Sequence, residues 1–246
     1  METGDAGDPM GFCEMSGKLY GIGVGPGDPE LMTMRAHRLI SSAKIIAYPA
    51  PDSGESFARS IAAASFAADV VEIPIVIPMR VARFPAQDVY DDAAKEIGRH
   101  LLAGQDVVVL CEGDPFFYGS FMYLFSRLAG DFPTEVVPGV SSLGAVTAAA
   151  RQPLCARGDQ VLILPATIDE NDLLERLSTA QAAAIMKVGR NLNKVRRVLN
   201  ELDLAERAVF VSHASLPEQK VLPFADAPET APYFSMILIP GEDPHV

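Results

Sequence analysis

Three short runs gather the residue types that let main chain approach a ligand. They are Gly21-Ile22-Gly23-Val24-Gly25-Pro26-Gly27-Asp28, Glu112-Gly113-Asp114-Pro115-Phe116-Phe117-Tyr118-Gly119-Ser120 and Pro138-Gly139-Val140-Ser141-Ser142. The first looks like a dinucleotide fingerprint, but GxGxxG needs glycine where Pro26 or Asp28 stands. It also lacks the Lys-Ser/Thr ending of a phosphate loop, and Asp28 would repel a phosphate while serving well as a helix cap. In the second run, rings beside Gly113 and Gly119 suggest a wall for a flat ligand; a packed turn capped by Asp114 explains them equally well. The third run, taken alone, reads as a helix start capped by Ser141.

Other chemistries lack support. His37, His100, His213 and His245 show no ligand spacing, so no protein-held metal is expected. Nothing reads G-x-S-x-G, and covalent catalysis is not indicated. Lys187, Arg190, Lys194, Arg196 and Arg197 surround a strand end and the next helix and read as a solvated face. Met186 reads as core.

The elements that must position these runs follow from hydrophobic period. Lys18–Val24 alternates as a strand and Leu31–Ser42 has helical spacing. Ile45–Tyr48 is a short strand ended by Pro49 and Pro51, and Ser56–Ala64 is the helix after it. Val70–Ile77 reads as a strand broken by prolines, leading into an irregular excursion through Arg80 and Arg83. A helix over Asp88–Leu102, a buried strand over Asp106–Cys111, a helix over Phe121–Leu128, a strand over Thr134–Val137 and a helix to Ala150 follow. Strands at Gln160–Leu164, Ala182–Val188, Ala208–Ser212 and Tyr233–Ile239 then alternate with helices at Asp169–Leu177 and Leu192–Leu202. This alternation predicts an α/β fold. We expect a disordered tail over 1–17 and two α/β domains over 18–139 and 140–246, with ligand in the cleft between them and at the C-terminal ends of strands.

Composition narrows the partners. The chain has 246 residues, 49% of them hydrophobic, enough to bury a sizeable core. A net charge of −12 repels phosphate backbones and argues against nucleic acid. The longest purely apolar runs, such as Val107–Cys111 and Ala182–Met186, fall far short of the about 20 residues a membrane helix needs. The first residues carry acids but no apolar core, so no secretory signal is expected. Cys13, Cys111 and Cys155 form no CxxC pair, which suits a reducing compartment, and a cytoplasmic location is expected.

The three runs in this order, each after a strand, resemble the tetrapyrrole methylase family over Lys18 to Pro240. The family's GxGxGPGDPxLLT element corresponds to Gly21–Thr33, with Met32 replacing a leucine; GDPxxYGS corresponds to Gly113–Ser120 and PGVSS to Pro138–Ser142. Finer features resemble the branch that methylates C20 of precorrin-2 in cobalamin biosynthesis. They are the run from Cys111 to Leu124, Met-Lys-Val-Gly-Arg from Met186, Pro-Tyr-Phe-Ser-Met-Ile from Pro232, Ala47–Pro51 and Arg83-Phe-Pro.

The resemblance implies a homodimeric methyltransferase using S-adenosylmethionine on a tetrapyrrole, with no protein-bound metal. The donor-contacting residues it implies are Pro26, Glu112, Gly113, Asp114, Ser141, Ser142, Met186 and Ala214, with Ser235 and Met236 on the adenine side. Ala214 rests on Ala-Ser-Leu-Pro-Glu-Gln, whose first three residues depart from the relatives' GTTPEQ-like form. A sulfonium methyl is already an activated electrophile and a reduced tetrapyrrole already a carbon nucleophile, so alignment and water exclusion suffice. One proton must leave after the carbon–carbon bond forms, and Asp28 is the candidate acceptor. Arg80 and Arg83 are expected to meet substrate carboxylates, and Tyr118 the macrocycle. The same transfer to the cobalt-loaded macrocycle, a non-catalytic tetrapyrrole- or nucleotide-binding regulator and a diphthamide-type protein methylation remain as alternatives.

Overall fold

The computed structural model describes residues 16–78 and 87–241. The chain divides into two compact units, Met1–Val140 and Ser141–Val246. The expected tail lies outside the described residues up to 15; Gly17 is already tied down, its N–H donating to the Leu101 carbonyl at 2.8 Å.

The first unit is a five-stranded parallel sheet in the order β3-β2-β4-β1-β5, built from β1 (Leu19–Gly23), β2 (Ile45–Pro51), β3 (Val71–Ile77), β4 (Val107–Cys111) and β5 (Thr134–Val137). β4 shows why it sits inside: all five residues are buried, Val107, Val109 and Cys111 on one face and Val108 and Leu110 on the other. The first face packs against α3 (Gln87–Leu102) and α4 (Phe121–Leu128) through Tyr90, Ile97, Leu101, Phe121 and Leu124. The second packs against α1 (Met34–Ser42) and α2 (Phe57–Ala62) through Ala36, Ile40, Ala58 and Ile61. A sheet covered on both faces reads as continuous apolar strands, as β4 does.

Three local readings change. The strand over Ile45–Tyr48 runs on to Pro51. Its pairing with β4 covers only Ile46 and Ala47, so Pro49 and Pro51 lie where that neighbour needs no further N–H. β3 tolerates Pro74 because it is an edge strand. The helix expected from Leu31 begins at Met34, where the Thr33 hydroxyl accepts the Ala36 N–H at 3.1 Å; a separate 3-10 turn, Pro29–Leu31, precedes it.

The second unit is mixed, in the order β6-β7-β10-β8-β9, with β6 (Val161–Pro165) parallel to β7 (Ala182–Met186). β10 (Ser235–Ile239) is antiparallel to both β7 and β8 (Val209–Ser212), and β9 (Lys220–Pro223) is an antiparallel edge. One face carries α6 (Glu170–Leu177) and α7 (Leu192–Glu201), with Leu173, Val195 and Leu199 against Ala183, Ile185 and Ile237. The other carries Val146 of α5 (Ser142–Ala150) against Ala184, Val211 and Met236. The strand expected to reach Val188 stops at Met186 because Lys187 turns to φ 55. The one expected from Tyr233 begins at Ser235, whose N–H turns back to the Tyr233 carbonyl at 3.0 Å. No helix among the described residues is long and apolar enough to cross a membrane.

Candidate functional site

β4, β1 and β5 are adjacent and parallel, so the loops leaving their C-terminal ends meet. These are the three glycine-bearing runs. Gly25 and Gly113 form an antiparallel bridge, with Gly113 N–H to the Gly25 carbonyl at 2.8 Å and the reverse at 3.3 Å. Both are in the left-handed region, Gly25 at φ 85 and Gly113 at φ 62, where glycine carries no steric penalty. Gly23 has a different reason. A Cβ there would lie 2.5 Å from the Gly113 carbonyl oxygen and 2.6 Å from the Gly139 nitrogen. A Cβ on Gly139 would run into the same Gly113 oxygen, and one on Gly21 into the Phe121 ring.

Asp114 fastens this junction. Its Oδ1 accepts the Phe116 and Phe117 N–H groups at 2.9 and 3.1 Å, and its Oδ2 accepts the Gly139 N–H at 3.1 Å. The carboxylate therefore caps its own turn and bonds the second loop to the third. α4 itself starts at Ser120 with no side-chain cap. Asp28 caps the 3-10 turn after the first loop, its Oδ1 accepting the Glu30 N–H at 2.9 Å. Pro26, half-buried, lies between these two anchored points.

Cys111 ends β4 and Glu112 opens the loop after it. Burial pushes the Cys111 thiol up to about 11, so it is a poor nucleophile and packs as a small apolar group beside Ser120. Burial also pushes the Glu112 carboxyl above its ordinary range, opposed by its own backbone amide and that of Ala58. Tyr118 stands at φ 57 and is 41% exposed, beside Phe117 with ring centroids 5.4 Å apart. Arg80 and Arg83 lie outside the described residues.

In the second unit the antiparallel β10 brings its first residues to the end where β7 and β8 finish: Ser235 pairs with Ser212, and the Phe234 carbonyl accepts the His213 N–H at 2.8 Å. Met186, Ala214 and Met236 join one apolar cluster with Leu143 and Val146 of α5. Met186 is thus partly core, as its type suggested. The Ser235 hydroxyl donates to the Pro232 carbonyl at 2.8 Å.

Ser141 corrects its reading as a cap. It occupies the N-cap position of α5, yet its hydroxyl makes no capping bond. Among the described residues no side chain claims the first amides of α5, which stand beside the Ser141 and Ser142 hydroxyls. This is the donor set a polar ligand group needs. Among the described residues no group of three or more His, Cys, Asp or Glu could hold a metal ion.

Two outcomes follow from these carboxyls. Asp114→Asn keeps an acceptor for Phe116 and Phe117 but sets an NH2 against the Gly139 N–H, and should lower unfolding free energy by about 1–3 kcal/mol in urea titrations. Glu112 works oppositely. Its folded-state pKa is raised, so the folded state binds the extra proton and wild-type stability falls as pH rises above the ordinary carboxylate range. Glu112→Gln, which cannot ionise, should gain on wild type across that window, and parallel pH profiles would exclude the burial effect.

The Tetrapyrrole (Corrin/Porphyrin) Methylases family model matches residues 18–227. The "Cobalamin biosynthesis protein CobIJ" of Mycobacterium tuberculosis is 43% identical over 235 residues, covering 92% of this chain and 46% of that protein. The chain thus spans about half the length of that relative. A "Precorrin-2 C(20)-methyltransferase" of a Sinorhizobium species is 38% identical over 234 residues, covering 92% of this chain and 96% of that protein. The solved uroporphyrin-III C-methyltransferase of Thermus thermophilus complexed with S-adenosylhomocysteine shares the fold, with a TM-score of 0.65 at 23% identity over 90% of this chain and 92% of that one. Glycine loops joined at parallel strand ends, a family model spanning both units and a relative matched over nearly its whole length agree: the chain belongs to the tetrapyrrole methylase family.

Proposed function

We infer that this chain is an S-adenosylmethionine-dependent C-methyltransferase that adds a methyl group at C20 of precorrin-2, giving precorrin-3A and S-adenosylhomocysteine in cobalamin biosynthesis. It acts as a homodimer in the cytoplasm. The observation that carries this reading is the 38% identity to the Sinorhizobium protein across 96% of that protein's length. Free thiols at Cys111 and Cys155 agree with a reducing compartment.

The bound donor supplies an electrophilic methyl on a sulfonium, which leaves as a neutral thioether once the methyl is taken. The chain holds that donor through Pro26, Glu112, Gly113, Asp114, Ser141, Ser142, Met186, Ala214, Ser235 and Met236. What supports this is, within the second unit, the start of α5, whose N-cap Ser141 makes no side-chain cap bond, and, within the first, the left-handed main chain at Gly113. Asp114 serves by fixing the main chain, since its carboxylate already accepts three amides. Tyr118, Arg80 and Arg83 meet the macrocycle. When C20 becomes bonded to the new methyl, the proton it carried must leave, and the Asp28 carboxylate accepts it.

Incubation of the purified protein with S-adenosylmethionine and precorrin-2 should yield a product heavier by one methyl group in mass spectrometry. Calorimetry should show S-adenosylhomocysteine binding. A product formed only from the cobalt-loaded macrocycle would move the substrate assignment, and no product with either would overturn the enzyme reading. Asp28→Asn separates the cap from the base. Asparagine caps as well as aspartate, so the melting temperature should hold while turnover falls roughly 10²-fold. Wild-type turnover in that variant would remove Asp28 from the chemistry.

A further inference from the structure

The loop after β7 opens on a cation, Lys187, in a conformation that side chains usually avoid, and carries a second, Arg190, three residues on. Lys187 stands at φ 55 and Gly189 at φ 25, while His213 at φ 51 and Ser215 at φ 68 follow β8. Three of the six left-handed non-glycine residues described in the second unit thus follow β7 and β8, at the end of the sheet that also bears Met186, Ala214 and Ser235. Such conformations persist only where the surroundings fix them, and they cluster at ligand sites. Here the fixing groups are visible. Asn191 donates its side-chain amide to the Lys187 carbonyl at 3.2 Å and its main-chain N–H to the Val188 carbonyl at 2.6 Å. Val188 and Leu192 are buried, so the loop is pinned from beneath while Lys187 and Arg190 are exposed.

The cations of the helix that follows are engaged within the protein. Lys194 donates to the Ile168 carbonyl at 2.5 Å, Arg196 to the Ala227 and Pro228 carbonyls at 3.0 Å, and Arg197 pairs with Glu170 at 2.6 Å. Arg190 differs: among the described residues no carboxylate lies within ion-pair distance of it. An arginine held at a fixed corner presents a planar fork of N–H donors that matches a carboxylate in a two-bond geometry. The chain as a whole, at −12, repels polyanions, so attraction for one must be local.

Resting on the methylase reading, we propose that Lys187 and Arg190 bind carboxylate side chains of the tetrapyrrole substrate, making the loop after β7 an anion anchor of the second unit. The donor's amino-acid end also carries a carboxylate, so the test must separate the two sources.

Arg190→Gln and the double variant K187Q/R190Q are compared with wild type and with Arg176→Gln, which removes a charge from the last turn of α6. The measurements are KM for precorrin-2 at two salt concentrations, S-adenosylhomocysteine affinity by calorimetry, and binding of uroporphyrin, an octacarboxylate, by its fluorescence. The double variant should raise KM about tenfold or more with a flatter salt dependence. It should weaken uroporphyrin binding likewise and leave S-adenosylhomocysteine affinity and the melting temperature unchanged, with Arg176→Gln behaving as wild type. An unchanged KM, a loss confined to S-adenosylhomocysteine, or an equal effect from Arg176→Gln would each overturn the anchor. Absence of methyl transfer in the wild type would fail the methylase reading instead. The uroporphyrin titration would then still decide the anchor, which falls if the double variant binds that porphyrin as well as wild type or if neither binds it.

Discussion

The strand ends of the first unit depend on main chain lying closer to main chain than any side chain permits. Gly23 ends β1 while Gly113 and Gly139 lie in the loops after β4 and β5, and a Cβ at Gly23 or Gly139 would collide with the backbone of the others. Contact of this kind has little attraction of its own; what holds it is the Asp114 carboxylate reaching from its own turn to the Gly139 amide, and the paired amide–carbonyl bonds of Gly25 and Gly113. A charged acceptor with three amide donors stabilises more than an equal number of neutral contacts. The motif glycines and the motif aspartate are therefore one device: the first allow the approach and the second fixes it.

The second unit solves a comparable problem with strained side-chain residues rather than glycines. Lys187 and His213 turn left-handed directly after their strands and Ser215 two residues later, and Asn191 and the β10 entry supply the hydrogen bonds that hold Lys187 and His213. This contrast has a chemical sense. A glycine loop exposes backbone and little else, whereas a left-handed lysine or histidine fixes a polar side chain at a chosen place. Under the methyltransferase reading proposed above, positioning matters more than reactive groups, and both forms of backbone control suit that need.

Much of the architecture was legible because period reports burial directly. The helix over Phe121–Leu128 and the strand over Thr134–Val137 have the bounds expected of them, and the buried run through Val107–Cys111 is the centre of its sheet. β9 was not legible: its residues are mostly exposed, it is an edge strand, and four residues, Lys-Val-Leu-Pro, are too few to give a periodic signal. The second strand was cut short at Pro49 because a proline argues against a strand only where a neighbour needs its N–H, which depends on pairing. In the site, the glycine runs were visible but their purpose was half hidden. Gly21 and Gly23 are required by the Phe121 ring and by the main chain of Gly113 and Gly139, neighbours that the local sequence does not name. The bond from Asp114 to Gly139 spans 25 residues and has no local signature. Left-handed Lys187 could not be foreseen, since lysine has no preference for that region and only the structure around Asn191 imposes it.

β10 is the last strand along the described chain, yet it lies in the middle of its sheet, wholly buried and paired on both sides. In the first unit the reverse holds, for β1 comes first and waits between β4 and β5. During synthesis on a ribosome, the strands of the first unit are complete once Val137 has emerged. β7 and β8 of the second then face each other across an empty lane until Ile239 is out. Through that interval two apolar strand edges have no partner, the condition under which nascent chains pair wrongly with one another. The sheet of the second unit can therefore close only once β10 has arrived.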